Sequence, residues 1–183
     1  MKKERSHIDK FGIARLDAIF EARKNGKTSP DELAEAANIA QVKAVVEIGR
    51  ESESKFDEYS SRFKIFTSVN PSTEQEDIHL KIDRWVTLKE KLFLPKLPVQ
   101  IKSSMNDVRL FKYGNPESNT EPSSGFTDFK GLIMVINCGP SVTYKSFRRQ
   151  VYEEVSRIMT VLDNNPQYIK LIELHSPEDS RQR

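Results

Sequence analysis

Ile82-Asp83-Arg84-Trp85-Val86, followed by Leu97-Pro98-Val99-Gln100-Ile101-Lys102-Ser103-Ser104, is the stretch on which the reading of the fold turns. In an extended chain successive side chains leave opposite faces. Gln100 and Lys102 are two apart and share one face, while Val99 and Ile101 point the other way, into a core. Upstream, Ile78, Leu80, Ile82 and Val86 alternate with His79, Lys81, Asp83 and Trp85, which predicts a strand over 78–88 with Asp83 opposite the apolar row. If these two strands pair as a hairpin, an aspartate, an amide oxygen and an ammonium converge. Phosphodiester hydrolysis needs such a set. Oxygen ligands hold Mg²⁺, which polarises the phosphate, and a lysine beside the metal can orient the attacking water, help deprotonate it or offset phosphate charge. The bland alternative is a hairpin that carries Asp, Gln and Lys on its solvent face.

Outward from this stretch the pattern is mixed. Residues 64–69 read as a short strand, 70–72 as a turn, and 97–103 as a strand entered through Pro95 and Pro98. Residues 113–128, rich in Gly, Pro, Ser, Asn and Thr, read as a loop. The apolar run 131–138 predicts a buried strand. Thr143 opens a helix to about Leu162 with Phe147, Val151, Val155, Ile158 and Leu162 on one stripe, and 168–174 offers a last short strand. Ahead of the sheet, apolar residues at helical spacing predict a helix over 8–24. Asn25-Gly26 ends it, and Ser29-Pro30-Asp31-Glu32 starts another that is Ala-rich to Ala40. A further helical stretch runs over 41–63. The whole is an α/β layout with a central sheet and helices on its faces.

The quoted segments resemble the PD-(D/E)XK, or restriction-endonuclease-like, nuclease superfamily, in the subgroup with glutamine where most members have Glu or Asp. The resemblance covers roughly residues 50–162, including the acidic run Glu74, Glu76 and Asp77. It implies a mixed α-β-β-β-α-β core with four to five strands and a divalent metal, Mg²⁺ or Mn²⁺, at the hairpin. It further implies Asp83 as metal ligand, Gln100 as second ligand through its carbonyl, and Lys102 as catalytic lysine. Ser103 and Ser104 would lie near backbone phosphates. A glutamate from the first core helix is the usual third ligand. Glu53 is the choice here, because it lies three residues before Phe56 on the face that Phe56, Tyr59 and Phe63 bury; the alternative is a surface glutamate. Gln100 removes one negative charge, so a catalytically silent nucleic-acid-binding or scaffold domain of the same fold stays open beside a DNA nuclease.

The expected organisation is a helical extension over 1–49, a nuclease-like core over 50–175 and a polar tail over 176–183. Within the extension, 31–48 has a helix-turn-helix cadence, with Asn38 at a left-handed turn position. A helical lead-in is the competing reading, since Gln41 to Val46 offer few polar side chains to base edges. Lys145, Arg148 and Arg149 open the last long helix and are candidates for a DNA backbone; Lys2, Lys3, Arg5, Arg181 and Arg183 are further basic residues. Trp85 either stacks on a base or covers the sheet.

Composition adds bounds. The chain has 183 residues, 37% hydrophobic and 31% charged, with a net charge of +2, which argues little about partners. No apolar run reaches the roughly 18 residues of a bilayer span, so no membrane association is expected. The basic N-terminus lacks a following apolar stretch and does not read as a secretory signal. One cysteine, Cys138, fits a reducing, cytoplasmic setting and a packing role. The three histidines lack metal-ligand spacing, and no Gly-rich phosphate loop exists. A homodimer is one expected form, because nucleases that cut both strands often dimerise.

Overall fold

The computed structural model describes residues 7–89 and 96–176. The basic residues at 2, 3 and 5, Pro95 and the tail beyond Ser176 lie outside the described residues. The chain divides into two compact units, one ending at Glu51 and one starting at Ser52.

The first unit is helical. Helix α1, His7–Lys24, ends at Gly26, whose φ of 83° suits glycine. Helix α2, Pro30–Arg62, begins in this unit and continues into the second. Ser29 and Glu32 cap its start reciprocally: Glu32 N–H donates to Ser29 Oγ at 3.3 Å, and Ser29 Oγ donates to the Glu32 carboxylate at 2.9 Å. The helix runs unbroken through Asn38 and Gly49, so the helix-turn-helix cadence does not become a turn. One Asn inside an Ala-rich helix costs under about 1 kcal/mol. Breaking the helix would instead leave several backbone groups without partners.

The second unit is built on a four-stranded mixed open sheet flanked by helices. Strands β1 (Phe66–Pro71), β2 (Arg84–Leu88), β3 (Lys96–Lys102) and β4 (Met134–Asn137) lie side by side in chain order. The first two pairings are antiparallel and β3–β4 is parallel. Helix α3, Met105–Tyr113, connects the parallel pair, and helix α5, Tyr144–Asn164, packs on β4. A short helix α4, Ser124–Asp128, precedes β4, and α6, Ile169–His175, closes the described chain. Phe147, Val151, Val155, Ile158 and Leu162 of α5 are all buried, as their stripe predicts. Phe147 meets the rings of Phe56 and Tyr59 from the last turns of α2, and of Phe63 just after it, at 5.5–6.1 Å, in the edge-on and tilted contacts that aromatic cores favour.

Several expectations are corrected here. Residues 76–80 form a π-helical turn rather than strand, because Thr73 and Glu76 cap one another and Lys81 turns left-handed with φ 56°. Asn70 and Pro71, expected in a turn, pair with Trp85 and Arg84. The expected loop over 113–128 contains a 3₁₀ turn and α4, and it is preceded by α3, which the pattern did not reveal.

The expected strand over 168–174 is helix α6, and among the described residues the sheet has four strands, the lower number of the four to five expected. The outer edge of β4 is already occupied by side chains of α5. Asn137 N–H donates to Gln150 Oε1 at 3.0 Å, and Gln150 Nε2 donates back to Asn137 O at 3.2 Å. Val135 N–H donates to Glu154 Oε2 at 3.1 Å, and Arg157 Nη2 donates to Ile133 O at 2.8 Å. An edge so saturated offers no ladder to another strand.

Candidate functional site

The site grows out of the β2–β3 pairing. Arg84 lies opposite Val99, which brings Asp83, one residue before β2, beside Gln100. Asp83 N–H donates to Val99 O at 2.8 Å and extends the ladder by one residue. Its carboxylate Oδ2 accepts from Ile101 N–H at 2.5 Å and from Gln100 Nε2 at 2.6 Å. Asp83 and Gln100 are therefore in direct contact, with the amide donating to the carboxylate. Gln100 is only 6% exposed and also donates weakly to Ile101 O at 3.4 Å.

Burial pushes the Asp83 carboxyl up to about 7, against the Ile101 N–H and the Lys102 charge, while Glu53 and Asp77 add to the rise. Its negative charge is thus incompletely balanced by the protein. Lys102 places its ammonium over the Phe111 ring, 4.7 Å from the centroid. Burial holds Lys102 below the ordinary lysine value, opposed by Asp83 and Asp107 and reinforced by Lys81. Gly139, just after β4, lets the chain press close here: a Cβ at that position would come 2.0 Å from Ser103 O.

Glu53 projects from α2 to Arg84, with Nη1 to Oε2 at 3.1 Å. The same guanidinium grips Asp57 with two bonds of 3.0 Å and donates to Asp83 O at 2.9 Å. Glu53 thus reaches the Asp83 group through Arg84. Among the described residues no group of three or more His, Cys, Asp or Glu side chains is gathered closely enough to hold a metal ion. The candidate oxygen donors are the carboxylates of Asp83 and Glu53 and the amide of Gln100, with the Asp77 charge near enough to raise Asp83 as well.

The remaining candidates have other partners. Ser104 Oγ accepts from Asp107 N–H at 3.1 Å and caps α3, and both serine hydroxyls donate to the Asp107 carboxylate, at 3.1 Å from Ser103 and 2.7 Å from Ser104. Lys145, Arg148 and Arg149 are exposed on α5. Arg148 lies over the rings of Phe63 and Tyr144, and Arg149 pairs with Glu153 at 3.6 Å. Trp85 is fully buried and donates its Nε1–H to Glu76 Oε1 at 3.0 Å, so it is a core residue and stacks on no base. Cys138 is buried too. Burial pushes its thiol up to about 12 despite Lys55, as befits an inert packing residue.

Three neighbours of the site escaped the sequence reading: Asp57, Arg84 and Asp107. Asp57 follows Glu53 by four positions, the spacing that puts both on one helix face. Ser104 and Asp107 stand at capping-box spacing, which also marks the start of α3. Comparison of the chain with protein-family models, with curated proteins and with solved structures finds no match.

Proposed function

We propose that the protein is a divalent-cation-dependent nuclease that hydrolyses DNA phosphodiester bonds, with the restriction-endonuclease-like core that the motif resemblance implies. The observation that carries this reading is the buried contact of Asp83 with Gln100 at the head of β2, with Lys102 two residues further along β3. The order α2-β1-β2-β3-α3-β4, with β4 parallel to β3, supports it, because it is the helix-strand-strand-strand-helix-strand sequence expected of that core.

The donor set fits a hard cation. All its atoms are oxygens, and a carboxylate raised to about 7 by burial is one whose charge a bound cation would balance. Asp83 would hold Mg²⁺ or Mn²⁺ with Glu53, and Gln100 would join after turning its amide to present the carbonyl oxygen. When bound, the cation would polarise the phosphate and offset charge developing on it. Lys102 would orient the attacking water. Its lowered pKa makes proton exchange at Nζ easier than at an exposed lysine. Ser103, Ser104 and the basic start of α5 (Lys145, Arg148, Arg149) would contact the DNA backbone.

A second reading has an observation in its favour. Gln100 donates to Asp83 and Arg84 neutralises Glu53, so the donors are internally satisfied, as in a silent domain that only binds nucleic acid or a partner. Incubation with linear, nicked and branched DNA, with and without Mn²⁺, separates the two. The nuclease reading expects Mn²⁺-dependent cleavage that falls about 100-fold or more in Asp83→Ala and in Lys102→Ala. Equal background in all three proteins would sink it, and retained DNA binding would then favour the silent domain.

A further inference from the structure

Arg84 does more at this site than anchor a strand to a helix. Its side chain is only 15% exposed, and its guanidinium makes four polar contacts: two to Asp57, one to Asp83 O and one to Glu53. The hold on Asp57 is planar and bidentate, the strongest form of this pair. The hold on Glu53 is a single contact, through the same Nη1 that serves Asp83 O. The two carboxylates are similarly open, at 41% for Glu53 and 47% for Asp57, so the number of bonds is what separates them. Of the two carboxylates on α2, Asp57 is bound firmly and Glu53 loosely. The loose one is also near enough for its charge to raise the Asp83 carboxyl.

We propose that Arg84 is the resident counter-ion of this centre, a positioning residue that neutralises Glu53 until a divalent cation arrives and then yields it while keeping Asp57. The inference rests on the metal-binding reading given above. A fixed positive charge that shares a ligand with the cation must weaken cation binding, through Coulomb repulsion and through competition for Glu53. It also keeps Glu53 aimed at the site, so that loading needs the transfer of one carboxylate rather than the ordering of a free side chain. Asp57 gives the guanidinium somewhere to stay after the exchange, which a lone Arg–Glu pair would lack.

Calorimetric titration of the full chain with Mn²⁺ tests this without reference to cleavage. Arg84→Gln is expected to bind Mn²⁺ at least about threefold more tightly than wild type. In a Glu53→Gln background the same change should give less than about half that gain, because the contested ligand is gone. Asp57→Asn, altered at a 47% exposed side chain, provides a variant with little folding risk. It should weaken Mn²⁺ binding, since Glu53 is then the one carboxylate left to Arg84, beside the carbonyl of Asp83. A merely structural Arg84 predicts lower thermal stability with Mn²⁺ affinity unchanged or reduced. That result, or an equal gain with and without Glu53, would overturn the inference while leaving the metal site intact. If neither wild type nor Arg84→Gln binds Mn²⁺, the metal reading falls and this inference falls with it.

Discussion

Replacing Glu154 with alanine is expected to cost the protein about 3–5 kcal/mol, the range for stranding a buried charge. Glu154 is 7% exposed and serves three donors. Its Oε1 accepts from the buried Lys112 ammonium, its Oε2 accepts from Val135 N–H, and Arg157 Nη2 donates to it at 2.9 Å. Burial alone would push Glu154 up, but Arg157 and Lys112 together outweigh it and hold the carboxyl below its ordinary value. Burial lowers Lys112 in turn, against the pull of Glu154. Alanine would leave the ammonium without a counter-charge and a strand N–H without an acceptor, two penalties that add. Arg157 would retain Gly131 O and Ile133 O. Lys112→Met should cost far less, under about 1 kcal/mol, because Glu154 keeps Arg157 and Val135 while the buried ammonium disappears. Urea unfolding of the two variants checks the order. A smaller loss from Glu154→Ala than from Lys112→Met would refute the account. The pH sign follows from the lowered carboxyl: Glu154 stabilises the fold above its unfolded value of 4.5, and this is lost as pH falls through the lower folded value.

Asp83 behaves in the opposite sense. Its folded value, about 7, lies above the unfolded 3.8, so between about pH 4 and pH 7 the native state binds more protons than the unfolded chain. Stability contributed by the neutral form is full below the unfolded value and is lost as pH rises toward 7. The shift corresponds to a penalty of about 4 kcal/mol at pH 8. Asp83→Asn keeps an oxygen that can accept from Ile101 N–H and Gln100 Nε2, and it carries no charge. In the presence of a chelator the Asn variant should therefore be roughly 2–4 kcal/mol more stable than wild type at pH 8, and nearly equal at pH 4. Denaturant midpoints at several pH values measure this. A wild type that gains stability from pH 4 to pH 7 relative to the variant would contradict the assignment. On the proposed metal-binding reading, Mn²⁺ should raise the midpoint of wild type more than that of Asp83→Asn, which lacks the Asp83 charge.

How much of this was legible beforehand depended on the kind of signal. Long periodic stretches read well: the stripe from Phe147 to Leu162 and the helix starting at Pro30 follow from spacing and capping alone. The face shared by Gln100 and Lys102 followed from the two-residue period of a strand. Short elements did not read well. Ile78, Leu80 and Ile82 alternate like a strand, yet the Thr73–Glu76 cap wins locally and winds that segment into a turn. Helix α3 spans nine residues, too few for periodicity to show, although Ser104 and Asp107 mark its start. The residues around 168–174 had strand-like composition, but no open edge remained for them on β4. At the site, types and faces were readable, whereas partners were not. Nothing in one dimension shows that Gln100 presents its nitrogen to Asp83, or that Arg84 stands between Glu53 and Asp57.

The sealed edge of β4 also sets an order of events during synthesis. Residues 132–136 are apolar and buried, and the groups that cover their outer backbone arrive only with α5, between Gln150 and Arg157. Until that helix has been made, this apolar segment lacks those partners, and an unpaired apolar strand edge is the kind of template on which neighbouring chains condense. A chain ending at residue 143 should therefore cloud on refolding at micromolar concentration while the full chain stays clear; light scattering that fails to distinguish them would argue against this. On that outcome α5 would shield the strand that precedes it as well as pack on it.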